Sequence, residues 1–130
     1  MESILTSIKK LLGIEDDYTA FDTDIIININ SVFMTLNQLG VGPKSGFSIS
    51  GKETTWSAYL GDSKLVEGVK MYVYLKVRLT FDPPSSSFVL ESINKQIAEL
   101  EWRLTVQAES PQALEETVIS FEEIDEMFEN

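Results

Sequence analysis

The side chains in this sequence that could do chemistry are carboxylates, serines and lysines, because it contains no histidine and no cysteine. That removes the commonest general base, the thiol nucleophile and the usual transition-metal ligands together. Paired acids stand at Asp22/Asp24 and Glu99/Glu101, where two carboxylates could serve acid–base work or a hard cation. At that spacing, near helix ends, they read better as caps and solvated faces. Ser7/Lys10 and Ser63/Lys64 form Ser–Lys pairs, but nothing distinguishes these serines from surface ones. The run Gly40-Val41-Gly42-Pro43-Lys44-Ser45-Gly46 resembles a phosphate loop only faintly. It follows a helix instead of a strand, and its glycine spacing fits neither common nucleotide motif, so it reads as a helix stop and loop. Lys70, Lys76 and Arg78 lie among tyrosines, as in single-strand binders that stack bases. The acidic balance of the chain weighs against that use. No catalytic, cofactor-binding or metal-ligating set emerges, and no enzyme is expected.

The acidity is uneven. Of a formal net charge of −11, residues 1–103 carry −3 and hold all 10 basic residues, whereas residues 104–130 hold 8 acids and no base. Phosphate binding through counterion release needs clustered Lys and Arg, and Lys9-Lys10 is only a pair. At 130 residues, with 43% hydrophobic and 24% charged residues, the composition is that of one globular domain. The opening residues lack the order of a signal peptide, and no apolar run reaches the roughly 20 residues of a membrane span. A soluble protein is expected.

The elements follow from periodicity and punctuation. Met1, Ile4, Leu5, Ile8, Leu11 and Leu12 have helical spacing up to Gly13. A second helix starts with Asp22 or Thr23 as its cap and runs to Gly40, with Phe21, Ile25, Ile29, Val32, Phe33, Leu36 and Leu39 as its apolar stripe. Trp56–Leu60 reads as one helical turn that places an aromatic in the core. Residues 70–81 alternate apolar and polar, a strand pattern rich in β-favouring residues. They also read as a helix capped by Ser63 and ended by Pro83-Pro84. Periodicity alone favours the strand. A last long helix is capped among Ser85–Ser87 and lined by Phe88, Val89, Ile93, Ile97, Leu100, Leu104 and Val106, with Pro111 closing it. Trp56, Tyr59, Tyr72, Tyr74, Phe81 and Trp102 are expected mostly in the core. In the acidic end, Val118, Phe121, Ile124 and Phe128 recur at three- and four-residue steps. They are the candidate partner-binding anchors of a segment, residues 110–130, expected to be mobile until a partner orders it.

Taken in order, "ILTSIKKLLGI", "FDTDIIININSVFMTLNQLGVGP", "TTWSAYL", "VKMYVYLKVRLTFDPPSS" and "INKQIAELEWRL" resemble the head–tail connector (adaptor, or head-completion) proteins of tailed bacteriophages, over roughly residues 3–106. The resemblance implies an all-α fold: a small bundle of about four helices with a long C-terminal helix, residues 1–109, and an extended acidic arm, residues 110–130. It makes 70–81 helical, against the alternation. It further implies a virion structural protein of the phage neck, made in the host cytoplasm and binding no cofactor. Such proteins form a homo-oligomeric ring of about a dozen copies between the portal and the next neck or tail component. The ring extends the DNA channel and meets passing DNA non-specifically. A different reading of the charge is an acidic inhibitor or DNA mimic of a nucleic-acid-binding partner. That requires acidity over the whole surface, and the near-balanced body does not provide it.

Overall fold

The computed structural model describes the backbone of residues 2–129 and the side chains of residues 2–109. Among the described residues five helices occur, in the order α1 Ile4–Leu11, α2 Asp22–Gln38, α3 Trp56–Leu60, α4 Val66–Phe81 and α5 Ser87–Glu129. Among the described residues there is no strand, only an isolated antiparallel bridge between Ser3 and Thr55. All-α architecture is therefore the fold.

Local chemistry sets most helix ends. The Ser3 hydroxyl caps α1 by accepting from the Thr6 amide at 3.2 Å, and Lys9 and Lys10 occupy its last turn, where the helix dipole favours cations. Thr55 caps α3 through the Ala58 amide at 3.2 Å, and Ser86 accepts from the Val89 amide at the start of α5. At the end of α2, Gly40 takes φ +88°, a left-handed conformation open to glycine at little cost. The Val41 amide then reaches back to the Leu36 carbonyl at 2.9 Å and the Gly40 amide to Asn37 at 3.0 Å, closing the helix in a Schellman motif.

Two expected caps are corrected. Neither Asp22 nor Thr23 caps α2; Phe21 holds that position without a side-chain bond, and both Asp22 and Asp24 sit in the first turn. Leu65, not Ser63, is the cap residue of α4, and the Ser63 hydroxyl instead accepts from the Leu65 amide. The helical backbone of α5 also continues through Pro111. Proline removes one intrahelical bond and crowds the preceding turn, which bends a helix without having to end it.

The central element is α4. Helices α2 and α5 each pack along it, and α1 braces both α2 and α4. Val69, Tyr72, Val73, Leu75 and Val77 are all buried, and they spread over more than half of the helix circumference. This explains the strand-like alternation at 70–81. A helix enclosed on most sides needs apolar residues at nearly every angle, and Lys70, Tyr74, Lys76 and Arg78 fall between them, half-buried, with polar tips led outwards.

The core joins Ile4, Leu5 and Ile8 of α1 with Ile25, Ile29, Val32, Phe33 and Leu36 of α2, the α4 residues above, and Ile93, Ile97 and Leu104 of α5. Trp56 enters it as expected, donating its indole N–H to Ser7 Oγ at 2.7 Å while that hydroxyl donates to the Ile4 carbonyl at 3.0 Å. Several assignments of periodic residues to the core are corrected. Trp102 is 68% exposed and Phe88 79% exposed, while Val89, Val106, Leu11 and Phe21 are also open to solvent. Periodicity groups residues on a face but does not say which face is covered.

Candidate functional site

Several of the polar groups that could do chemistry are engaged by the fold. Lys9, 1% exposed, lies at the centre of one such cluster. Its ammonium donates to the Asp16 carbonyl at 3.0 Å and the Tyr18 carbonyl at 2.8 Å, and pairs with Asp22 Oδ1 at 2.8 Å. Two hydrogen bonds and one ion pair thus tie the 15–22 loop to α1. Asp22 is thereby a structural counter-ion. Its neighbour Asp24 has no part in the cluster.

Ser7 is fully engaged by Trp56 and Ile4, and no pairing with Lys10 arises. Glu99 pairs with Arg103 on the surface at 2.6 Å, whereas Glu101 accepts from the Tyr72 hydroxyl at 3.1 Å. The two carboxylates therefore serve different partners. The 40–46 loop wraps the aromatic cluster of Phe33, Phe47 and Tyr59, whose ring centroids lie 4.5–5.6 Å apart. A Cβ at Gly42 would fall 2.6 Å from Tyr59 Cε1, so glycine is required there by packing, without any ligand. Asn30 on α2 holds the next segment, its side-chain carbonyl accepting from the Ile49 amide at 2.8 Å and its amide donating to the Ile49 carbonyl at 2.9 Å. Among the described residues no three His, Cys, Asp or Glu side chains gather as a metal site, and no helix is long and apolar enough to cross a membrane.

Two buried hydroxyls give the body a predictable alkaline limit. Burial raises the Tyr59 hydroxyl far above its ordinary value, and burial followed by the Glu101 carboxylate does the same to Tyr72. Both stay protonated in the folded chain while the unfolded chain ionises from about pH 10 upward. Stability is full below that pH and falls as pH rises beyond it. Urea midpoints should decline between about pH 9 and 11, and Tyr72→Phe should flatten the decline.

Several large apolar side chains on the helices remain exposed. On α5, Phe88, Trp102 and Val106 lie on the side opposite the buried Ile93, Ile97 and Leu104. On α2, Ile27 (62% exposed) and Met34 (69% exposed) lie opposite the buried Ile25, Ile29, Val32 and Leu36. Exposed apolar side chains of this kind are what binding to another protein uses. The sequence pattern groups Phe88 and Val106 with the core-lining residues of the last helix and Trp102 with the core aromatics, and the structure leaves all three exposed. The anchors expected from sequence, Val118, Phe121, Ile124 and Phe128, lie outside the described side chains. So does the expectation that residues 110–130 are mobile.

Comparison with known proteins gives one family. The family model described as "Phage connector protein" matches residues 4–111. No curated protein and no solved structure is matched by the chain.

Proposed function

We propose that this chain, which belongs to the phage connector protein family, is a structural subunit of the phage neck that forms a ring between the portal and the next neck or tail component. The family match over nearly the whole helical body carries the reading. The body supports it in kind: Lys9 and Asp22 are spent on an internal tie, and large apolar side chains such as Phe88 and Trp102 stand exposed on its helices, as side chains that bury against protein do. A ring of about a dozen copies extends the DNA channel, with heterologous contacts that close by rotation. DNA passes such a channel without a basic surface to hold it, in keeping with a body at −3 and a C-terminal stretch at −8.

Residues 110–130 act as the docking arm for the portal, with Val118, Phe121, Ile124 and Phe128 entering an apolar groove flanked by Lys or Arg. Their three- and four-residue recurrence and the eight acids of residues 104–130 support this role. Electron microscopy of the protein together with its portal and neighbouring neck proteins tests both statements. The full chain should give rings seated on the portal. A chain lacking residues 112–130 should keep its helical circular dichroism and lose portal docking, and Phe121→Ala should weaken docking by about 2 kcal/mol. Absence of rings under every combination refutes the reading, and undiminished docking of the shortened chain refutes the arm.

A further inference from the structure

Three aromatic rings adjoin on the outside of the body, where the loop before α2 meets the end of α4. The centroids of Tyr18 and Phe21 lie 5.6 Å apart and those of Phe21 and Phe81 5.3 Å apart. Tyr18 is 50% exposed and Phe21 41% exposed, and Phe81 is half-buried against the core. Phe21 occupies the cap position of α2 without a side-chain bond, where Ser, Thr, Asp or Asn would satisfy a free amide. Helix capping therefore does not explain an aromatic there. Exposed carboxylates border the rings: Asp17 precedes Tyr18, Asp24 lies one helical turn beyond Phe21, and Asp82 follows Phe81. Among the described residues no ion pair engages these three acids. The neighbouring cations are taken. Lys9 pairs with Asp22, Lys10 shares a cleft with Glu15 and Asp16, and Arg78 donates to the Tyr74 hydroxyl at 3.4 Å.

We propose that this aromatic surface receives an arginine-bearing segment of a different protein. Ring faces attract a guanidinium, and carboxylates beside them accept its forked N–H groups, so the two features together select that planar cation. Closer candidates do not fit. Residues 104–130 of the chain hold no base. A second copy offers only two arginines, Arg78 and Arg103, and these already bind Tyr74 and Glu99. DNA phosphates are repelled by the carboxylates. Position says which protein it is. A Cβ at Gly40 would lie 3.8 Å from the Ala108 Cβ, so α5 passes the C-terminal end of α2 on its way to the acidic arm. Phe21 marks the other end of that 17-residue helix, roughly 25 Å away. The partner's identity rests on the ring reading above: with the arm on the portal, the aromatic surface meets the next neck or tail component.

Tyr18→Ser and Asp24→Asn both alter exposed side chains, and unchanged melting shows that they fold. The full chain is titrated with a capped hexapeptide of alternating arginine and leucine, and with its lysine counterpart, by nuclear magnetic resonance. The arginine peptide should bind more tightly and shift the rings of Tyr18, Phe21 and Phe81. Each variant should weaken it about 3-fold. With the portal and neighbouring neck proteins, the double variant should still give rings, and the next component should join them about 10-fold more weakly. Ring shifts that are absent, or binding unchanged in both variants, overturn the surface. Loss of the ring itself in the double variant places the surface between copies and overturns the proposal. Undiminished joining of the next component overturns the partner. Peptide binding as expected by an unaltered chain that never forms rings overturns the ring reading and spares the surface.

Discussion

Lys9→Ala is expected to destabilise the helical body by about 3–5 kcal/mol, the range found when one partner of a buried ion pair is removed. The lysine stem fills core space beside Leu5 and Ile8, and its ammonium satisfies two loop carbonyls and the Asp22 carboxylate. Truncation leaves all three acceptors facing a cavity in a region that water reaches poorly. Lys9→Met keeps the stem and should cost less. Adding Asp22→Asn to Lys9→Met should recover part of the remaining loss, because the uncompensated charge then disappears. Urea unfolding of the four proteins gives these numbers, and added salt should change the Lys9 effect little because the pair is shielded from solvent. A loss below about 1 kcal/mol for Lys9→Ala, the level of an exposed pair, would show that the ammonium escapes to water.

Trp56→Ala should cost a similar amount, about 3–5 kcal/mol, as large-to-small changes of buried aromatics do. Trp56 is the plug that fastens α3 to α1, with two backbone bonds beside it: the Ile4 amide to the Thr54 carbonyl at 3.0 Å and the Trp56 amide to the Glu2 carbonyl at 3.2 Å. Trp56→Phe fills most of the space and removes only the indole donor to Ser7, so about 1 kcal/mol should be lost. Fluorescence provides an internal check, because the chain has two tryptophans of opposite burial. Trp56→Phe leaves Trp102, whose emission should be that of an indole in water. Trp102→Phe leaves Trp56, whose emission should lie well to the blue and shift only on unfolding.

Punctuation was legible in the sequence at several ends, though not at Asp22, Ser63 or Pro111. Gly40, the Pro83-Pro84 pair and the serines before α5 mark ends because their effects are local. Nothing local reveals that α4 is the middle layer. Its alternation mimicked a strand because burial on most sides removes the polar stripe by which an amphipathic helix is recognised. The Pro83-Pro84 stop and a shared apolar face allow a helix there, and the family resemblance decides for it. Trp102 and Phe88 failed for the opposite reason, since large aromatics count as core unless a partner surface is known to exist. Lys9 went unread because its acceptors lie 7 to 13 residues ahead in a loop. The signal that could have found it is a lysine bordering the apolar face of a short helix, followed closely by Asp16 and Asp22.

The central position of α4 also orders events in time. Contacts of α4 with α5 close a short turn at Pro83-Pro84, whereas those with α2 span the long 39–65 segment. Loop closure favours the nearer pairing, so the α4–α5 hairpin should collapse first and α2 should dock onto it afterwards. Once both flanks are in place, the amides of Val69–Val77 can exchange with solvent only when the whole body opens. Amide exchange should therefore be slowest there, slower than in α2, whose outer face meets water along its full length.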